Sequence, residues 1–419
     1  MSDLTGAYRP FLVVVSTGPR RYREYLFAAM APHYRIHLVN TMEPTWERRY
    51  LVGHTVVPST DLDHVRAAVD GLTDVGPIDG VLSWDEARVY QAAAVAEALG
   101  LPTTPAKAVW RCRDKHQSRT ALAAAGLPQP GFALVGTVDQ AATAAAGIGY
   151  PVVVKPRAAA ASYGVALVAE PARLAEHFAF ADTATVPHMP DYDQAVLVEE
   201  YLAGPEVSVD SVVVGGRVEP LFVGHKETGY PPYFEETGHL VSHGDPLLSD
   251  PGFRALVQDT HTALGFTNGW THAEFKLTPD GPKVIEVNAR LGGDLIPYLG
   301  MVASGLNPGL IAAAVACGRD PLIEATRDLV AGIRFFYVDA DDTPVDRVEF
   351  DPTALPAELD STVVLAEHGA VFSPPPRGLL SGRIAFATVA APTAQQCRAA
   401  LDQVGAALRV FPLMTANAP

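Results

Sequence analysis

The sequence predicts an α/β chain that opens on a parallel sheet and passes into mixed α+β units. Three observations carry this prediction. Apolar strand-like runs alternate with helical stretches over residues 1–113, strand and helix signals continue over 114–320, and from 321 to 419 short strands surround a single helical stretch. Strands that alternate with helices imply a parallel sheet covered on both faces.

Phe11-Leu-Val-Val-Val-Ser16 is an unbroken apolar run, as a strand buried on both faces requires. Tyr34–Asn40 and Gly80–Asp85 read as further strands, and Arg20–Met30, Asp61–Asp70 and Glu86–Leu99 as helices. Ligands gather beyond the carboxyl ends of such strands, which singles out Thr17, Gly18, Trp84, Asp85 and Glu86. Capping of a helix by Asp85 is the competing reading. Leu101-Pro-Thr-Thr-Pro105 marks a linker.

Beyond it, Lys115–Ala125 reads as a helix, Phe132–Val135 as a strand and Val138–Ala146 as a helix. The strand Pro151-Val-Val-Val-Lys-Pro156 enters the small-residue loop 157–164. Strand 165–169, helix 172–181 and strand 195–202 follow, and Gly215-Gly216 turns strand 206–214 into 218–225. Residues 226–246, rich in Gly, Pro, Tyr and His, read as an irregular loop. Helices are expected at Phe253–Leu264, Pro297–Ser304 and Pro308–Ala316. In the last part 333–338, 346–350, 362–367 and 383–388 read as strands and Ala394–Leu408 as a helix.

The chemistry concentrates in the pair Thr271–Leu277 and Lys283–Arg290. Alternation puts His272, Glu274 and Lys276 on one face, and Glu286, Asn288 and Arg290 on one face of the partner, with Ile285 and Val287 opposite. A three-residue loop, Pro279-Asp280-Gly281, sets Glu274 against Glu286 and His272 against Asn288. A two-residue Asp280-Gly281 turn would put Glu274 against Val287 and split the polar face. Opposed carboxylates repel, so a positive group must sit between them, and Arg290 and Lys276 could serve. Two carboxylates and an amide form the oxygen set expected for magnesium shared with phosphates. A solvated charged face is the alternative.

Lys155 at a strand end before small residues suits an anionic phosphate, although no Walker sequence occurs; the alternative is a surface lysine before a turn. Val198-Glu-Glu-Tyr-Leu202 with Glu206 suits an adenine edge and ribose hydroxyls, or a charged sheet edge. In 224–244, Tyr230, Tyr233 and Phe234 suit a pocket wall. His225, Lys226, Glu227, Glu235, His239 and His243 suit the charged ends of an amino acid. The histidine spacing does not suit zinc. Gly292-Gly293 lets a substrate approach backbone amides, and Asp294 reads alternatively as a helix cap.

Taken in order, Lys115, Val-Lys155-Pro, Val-Glu-Glu-Tyr-Leu-Ala-Gly-Pro-Glu206 and Glu274…Glu286-Val-Asn288-Ala-Arg290 resemble the ATP-grasp superfamily. Within it they are most similar to the carboxylate–amine ligases that include L-amino acid (dipeptide) ligases. The resemblance implies an ATP-grasp fold: an N-terminal α/β domain (1–113), a lid lobe (114–200), a catalytic lobe (201–320) and a small α+β C-terminal domain (321–419). It implies ATP with magnesium, or manganese, as cofactors. Lys115, Lys155, Ser162, Gly164, Glu199, Tyr201, Leu202, Glu206 and Asn288 would bind the nucleotide. Glu274, Glu286 and Asn288 would hold the metal, and Arg290 and Lys155 would act on the transferring phosphoryl group. Asp85, Glu86, His225, Lys226, Glu227, Tyr233, His239, Gly292 and Gly293 would meet the substrates. The implied reaction joins a carboxylate to an amine through an acyl phosphate and gives a dipeptide or γ-glutamyl amide. A purine-biosynthesis or biotin-carboxylase-like enzyme, or a nucleotide-binding protein without turnover, is the alternative. The loop departs from the family pattern, because Ala158–Ala161 stand where glycines are usual.

A net charge of −16 argues against nucleic acid or an anionic membrane as partner. Small-molecule carboxylates and amines, and a homodimer, are expected instead. Cys112, Cys317 and Cys397 form no disulfide or metal pattern, the N-terminus shows no signal-peptide pattern, and a cytoplasmic location is expected.

Overall fold

The computed structural model describes residues 8–72, 75–159, 162–184 and 196–413. The N-terminal sheet is parallel, with strands in the order Leu51–Val56, Arg35–Asn40, Phe11–Val15, Gly80–Leu82. Its central strand is buried along its whole length, as the unbroken apolar run requires. The outer strand 51–56 and the helix Ala106–Arg113 have no counterpart in the sequence reading. Leu-Val-Gly-His-Thr-Val lacks a clean alternation, and the helix follows the proline-bounded linker directly.

A second sheet is antiparallel, in the order Phe132–Val135, Val196–Glu200, Val152–Pro156, Ala166–Val168. Helices Val138–Ile148 and Leu174–Asp182 pack against it. Part of the alanine stretch 158–161 lies outside the described residues.

The third sheet has eight strands. Gly281–Asn288, Gly269–Thr278, Glu206–Val214, Arg217–Gly229 and Glu235–Ser242 are followed across the sheet by Val330–Phe336, Ala385–Ala391 and Leu359–Val364. The strand read at 218–225 therefore runs on to Gly229 and pairs with Glu235–Ser242, so most of 226–246 completes a β-hairpin and is not an irregular loop. Its strands carry buried charges on the face that ordinarily would be apolar, and this hides the alternation. The last three strands belong to the segment read as an appendage, so that segment extends the eight-stranded sheet. Their pairing is long-range, and nothing local in the sequence announces it. One apolar core joins the N-terminal helix Arg20–Met30, this sheet and the helices Ile296–Ser304 and Pro308–Ala316. No single helix among the described residues is long and apolar enough to cross a membrane.

Candidate functional site

The hairpin pairs Glu274 with Glu286 and His272 with Asn288, as alternation demands. The turn differs from the expected one. Thr278 pairs with Gly281, so the loop is the two-residue Pro279-Asp280. The register is recovered by a bulge, in which Phe275 faces Val284 and Glu274 faces Glu286. Ile285 is the extra residue. It lines the cavity beside Glu286 instead of facing away, while Val284 and Val287 both enter the core.

A bulge leaves ladder carbonyls without strand partners. Arg119, on the helix Lys115–Ala124, meets them: Nη2 donates to Ile285 O at 2.7 Å and Nη1 to Val284 O at 3.4 Å. Its Nε and Nη2 also donate to the two Glu199 oxygens, at 2.7 and 3.2 Å. Lys155 Nζ stands 2.6 Å from Glu199 Oε2. Both Glu199 oxygens are thus occupied, and Glu199 braces two cations instead of offering its carboxylate to adenine. Burial would raise its pKa, but Arg119 and Lys155 outweigh burial and hold it at about 2. Lys155 is pulled below the ordinary lysine range by burial, against Glu199 and together with Arg119 and Lys115. Sequence reasoning missed Arg119. The signal was its helical spacing with the buried Ser118 and Leu122.

Lys115 follows Asp114, which caps the helix by accepting from the His116 and Gln117 amides and also binds Arg157. The Lys115 ammonium lies 3.1 Å from Glu286 Oε1 and 2.9 Å from Ala159 O. The opposing Glu274 is met by Lys226 at 2.9 Å. Lys226 also contacts Glu206 and Glu236, each at 3.0 Å. Its side chain is 2 % exposed and its pKa is held well above the ordinary value: burial opposes the charge, but Glu236, Glu274 and Glu206 together prevail. Lys226 therefore neutralises three carboxylates and is not a free contact for a substrate's ends.

These residues share one cavity of about 920 Å³, partly open to solvent. Lys115, Lys155, Ser162, Glu199, Tyr201, Leu202 and Glu206 line it together with Glu274, Ile285, Glu286, Asn288 and Arg290. Gly164 is not on its wall. Its φ of +77° and close packing against Pro156 give it a backbone role in the turn. Glu274, Glu286 and Asn288 present hard oxygen donors on one wall, which suits a magnesium or manganese ion, and the cations now facing the two carboxylates show that the pair needs positive charge.

Arg290 Nε binds Glu86 Oε2 at 2.7 Å, and Arg113 shares the same carboxylate. Glu86 thus positions Arg290 from the N-terminal domain. Asp85 accepts from Ser16 Oγ at 2.9 Å and from the Ala87 amide at 3.0 Å, and so organises its own turn. Gly292 donates to Asp210 Oδ1 at 3.1 Å. Asp210 also receives Trp270 Nε1 and His272 Nδ1, each at 2.7 Å. Burial alone would depress His272, but Asp210 and Glu274 lift it to about 9. A Cβ on Gly292 would lie 2.8 Å from His272 Nδ1 and 3.2 Å from Asp210 Oδ2. Gly292→Ala is accordingly expected to lower stability by roughly 1–3 kcal/mol. The urea midpoint measures this, and an unshifted midpoint contradicts the packing.

Asp294 does not cap the following helix. It binds Arg383 at 2.7 Å and His239 at 3.3 Å, and His239 also contacts Glu236 at 3.2 Å. Gly293 O accepts from the Ile296 amide. Asp294 and Leu295 hold φ of 47° and 62°, consecutive left-handed residues that concentrate strain beside the site. Arg383 comes from the C-terminal segment, and its reach into this loop was not visible in the sequence.

Three expected substrate residues lie elsewhere. Tyr233 packs on Phe180 and His177 of the helix Leu174–Asp182, with ring centroids 5.3 and 6.2 Å away. There it pairs with Ala166 and joins the 217–242 hairpin to the four-stranded antiparallel sheet. His225 pairs with Asp245 at 2.6 Å, and Glu227 with Arg398 at 3.3 Å. Strand alternation turns both away from Lys226 and the cavity. Phe234 and Glu236 line the cavity instead.

A family model described as the ATP-grasp domain matches residues 148–298, and one described as the ATP-grasp N-terminal domain matches 43–103. An uncharacterised protein, y4rH, from Sinorhizobium fredii is 33% identical over 249 residues, covering 59% of this chain and 50% of that protein. Alanine–anticapsin ligase of Bacillus subtilis (strain 168) is 26% identical over 264 residues, covering 58% of this chain and 55% of that ligase. The matched region thus spans about half the length of these relatives. The crystal structure of an L-amino acid ligase from Bacillus licheniformis superposes with a TM-score of 0.78 over 97% of this chain and 99% of that one, at 22% identity.

Proposed function

Because the chain belongs to the ATP-grasp superfamily, we propose that it is an ATP-dependent, ADP-forming ligase that joins a carboxylate to an amine. One observation carries this reading: two lysines, two opposed carboxylates, an asparagine and an arginine line a single cavity. A carboxylate does not condense with an amine at neutral pH. In the proposed reaction a carboxylate oxygen attacks the γ-phosphorus of ATP, the bond to ADP breaks, and an acyl phosphate forms. The uncharged amine then attacks the acyl carbon. The C–N bond forms, phosphate departs with the C–O electron pair, and the amine's surplus proton passes to solvent.

Catalysis of phosphoryl transfer is mostly positioning and charge neutralisation. Lys115 and Lys155 would hold phosphate oxygens, Tyr201 and Leu202 the adenine, and Glu206 the ribose. Glu274, Glu286 and Asn288 would hold magnesium, which neutralises charge on the phosphates when bound. Arg290, steadied by Glu86, would stabilise the oxyanion. The names of alanine–anticapsin ligase and of the L-amino acid ligase favour an amino acid as acyl donor and a second amino acid as acceptor.

Incubation with ATP, magnesium and pairs of amino acids should release phosphate only when both partners are present. Mass spectrometry would identify the product and separate an α-peptide from a γ-glutamyl link. ADP formation that depends on bicarbonate or formate instead, or nucleotide binding with no turnover on any pair, would overturn the reading.

A further inference from the structure

The helix Arg20–Met30 begins at the carboxyl edge of the N-terminal sheet and buries Leu26, Phe27 and Met30. Arg23 stands one turn earlier on that face, half-buried. Its stem lies against Gly18, where an added Cβ would be 3.4 Å from Arg23 Cγ. Gly18 follows the carboxyl end of the strand Phe11–Val15, and the neighbouring strand Gly80–Leu82 leads to Glu86, the partner of Arg290, so Arg23 stands at the sheet edge that carries the Glu86–Arg290 pair. Other arginines of the site have carboxylates: Arg290 and Arg113 share Glu86, and Arg383 holds Asp294. Arg23 forms no ion pair among the described residues. Burial pushes it below the ordinary arginine range. Beside it lies the buried hydroxyl of Tyr25, which faces Arg23 and whose own proton finds no acceptor. A half-buried guanidinium without a carboxylate and a buried hydroxyl proton without an acceptor gain when an anion arrives.

We propose that Arg23, with the Tyr25 hydroxyl, holds the unreacted carboxylate of the amine substrate. This rests on the ligase reading above. If two amino acids meet here, two carboxylates enter the site. The one that is activated lies with Arg290 and the phosphates, and the other must be neutralised where it stays. Arg23 is the cation placed for that task, and the acceptor is then an amine that bears a carboxylate, such as an α-amino acid.

The test uses the full chain and screens each of the twenty amino acids as acceptor beside its α-amide, in which the carboxylate is a neutral carboxamide. The wild type should prefer the acids. Arg23→Gln should raise KM for acid acceptors roughly 10- to 100-fold, the loss of one charge-assisted contact. KM for ATP and for amide acceptors should stay put, and Arg23→Lys should recover part of the loss. A wild type that uses amides as well as acids, an Arg23→Gln variant that behaves like wild type, or equal losses on acids and amides would each overturn the assignment. Absence of turnover with every pair in the wild type is a different result: it removes the ligase reading itself, and this inference with it.

Discussion

Glu286→Gln is expected to cut turnover by about three orders of magnitude while the fold survives. The carboxylate opposes Glu274 across the hairpin, faces the cavity and lies 3.1 Å from Lys115. The amide keeps the shape and removes one negative charge from the oxygen set that would hold a divalent ion. Loss of several kcal/mol of transition-state neutralisation corresponds to a rate loss of roughly this size. Stability should change little, because Glu286 is partly exposed and Lys115 keeps its bond to Ala159 O. Steady-state phosphate release and a thermal melt separate the two effects. Wild-type turnover in the variant would refute the assigned role.

Glu199→Gln is expected to act on stability. The Glu199 carboxylate stands between Arg119 and Lys155, and all three side chains are almost wholly buried. Removal of the one anion leaves two buried cations facing a neutral amide, at a cost of roughly 3–5 kcal/mol. Arg119 also ties the bulge carbonyls to the helix, so the damage should spread to the cavity wall. The pH dependence follows from the same contact. A carboxylate held at about 2 when folded contributes stability that is complete above its unfolded value near 4.5. That contribution disappears as pH falls from about 4.5 towards 2. Denaturant midpoints should show the wild type losing more stability over this window than Glu199→Gln. Parallel curves for the two proteins would contradict the bracing role.

How far the sequence was legible follows from which signals are local. Alternation in Thr271–Leu277 and Lys283–Arg290 disclosed the opposed carboxylates because one face of that hairpin is apolar and buried. The loop length was not legible, since a bulge at Ile285 compensates for a shorter turn and the two errors cancel at Glu274. Lys115 and Lys155 could be found from their positions at a helix start and a strand end. Arg119 could not be assigned, because a helix-borne arginine reveals its target only when the bulge folds beneath it. The strand at 218–225 was legible, but its continuation to Gly229 and its partner Glu235–Ser242 were hidden, because Lys226 and Glu236 stand where apolar residues would be expected and are balanced by each other and by Glu206 and Glu274 of neighbouring strands. Arg383 reaches Asp294 across 89 residues of sequence, and no local pattern encodes such a contact.

The central claim is that the Glu274–Glu286 hairpin is where metal and phosphates meet. Crystals soaked with a non-hydrolysable ATP analogue and manganese test it most directly, through the anomalous signal of the ion. The account predicts manganese bonded to Glu286 and to Glu274 or Asn288, with a phosphate against Lys155. A nucleotide bound in this cavity with its ion away from all three oxygen donors, or a nucleotide bound elsewhere, would contradict it.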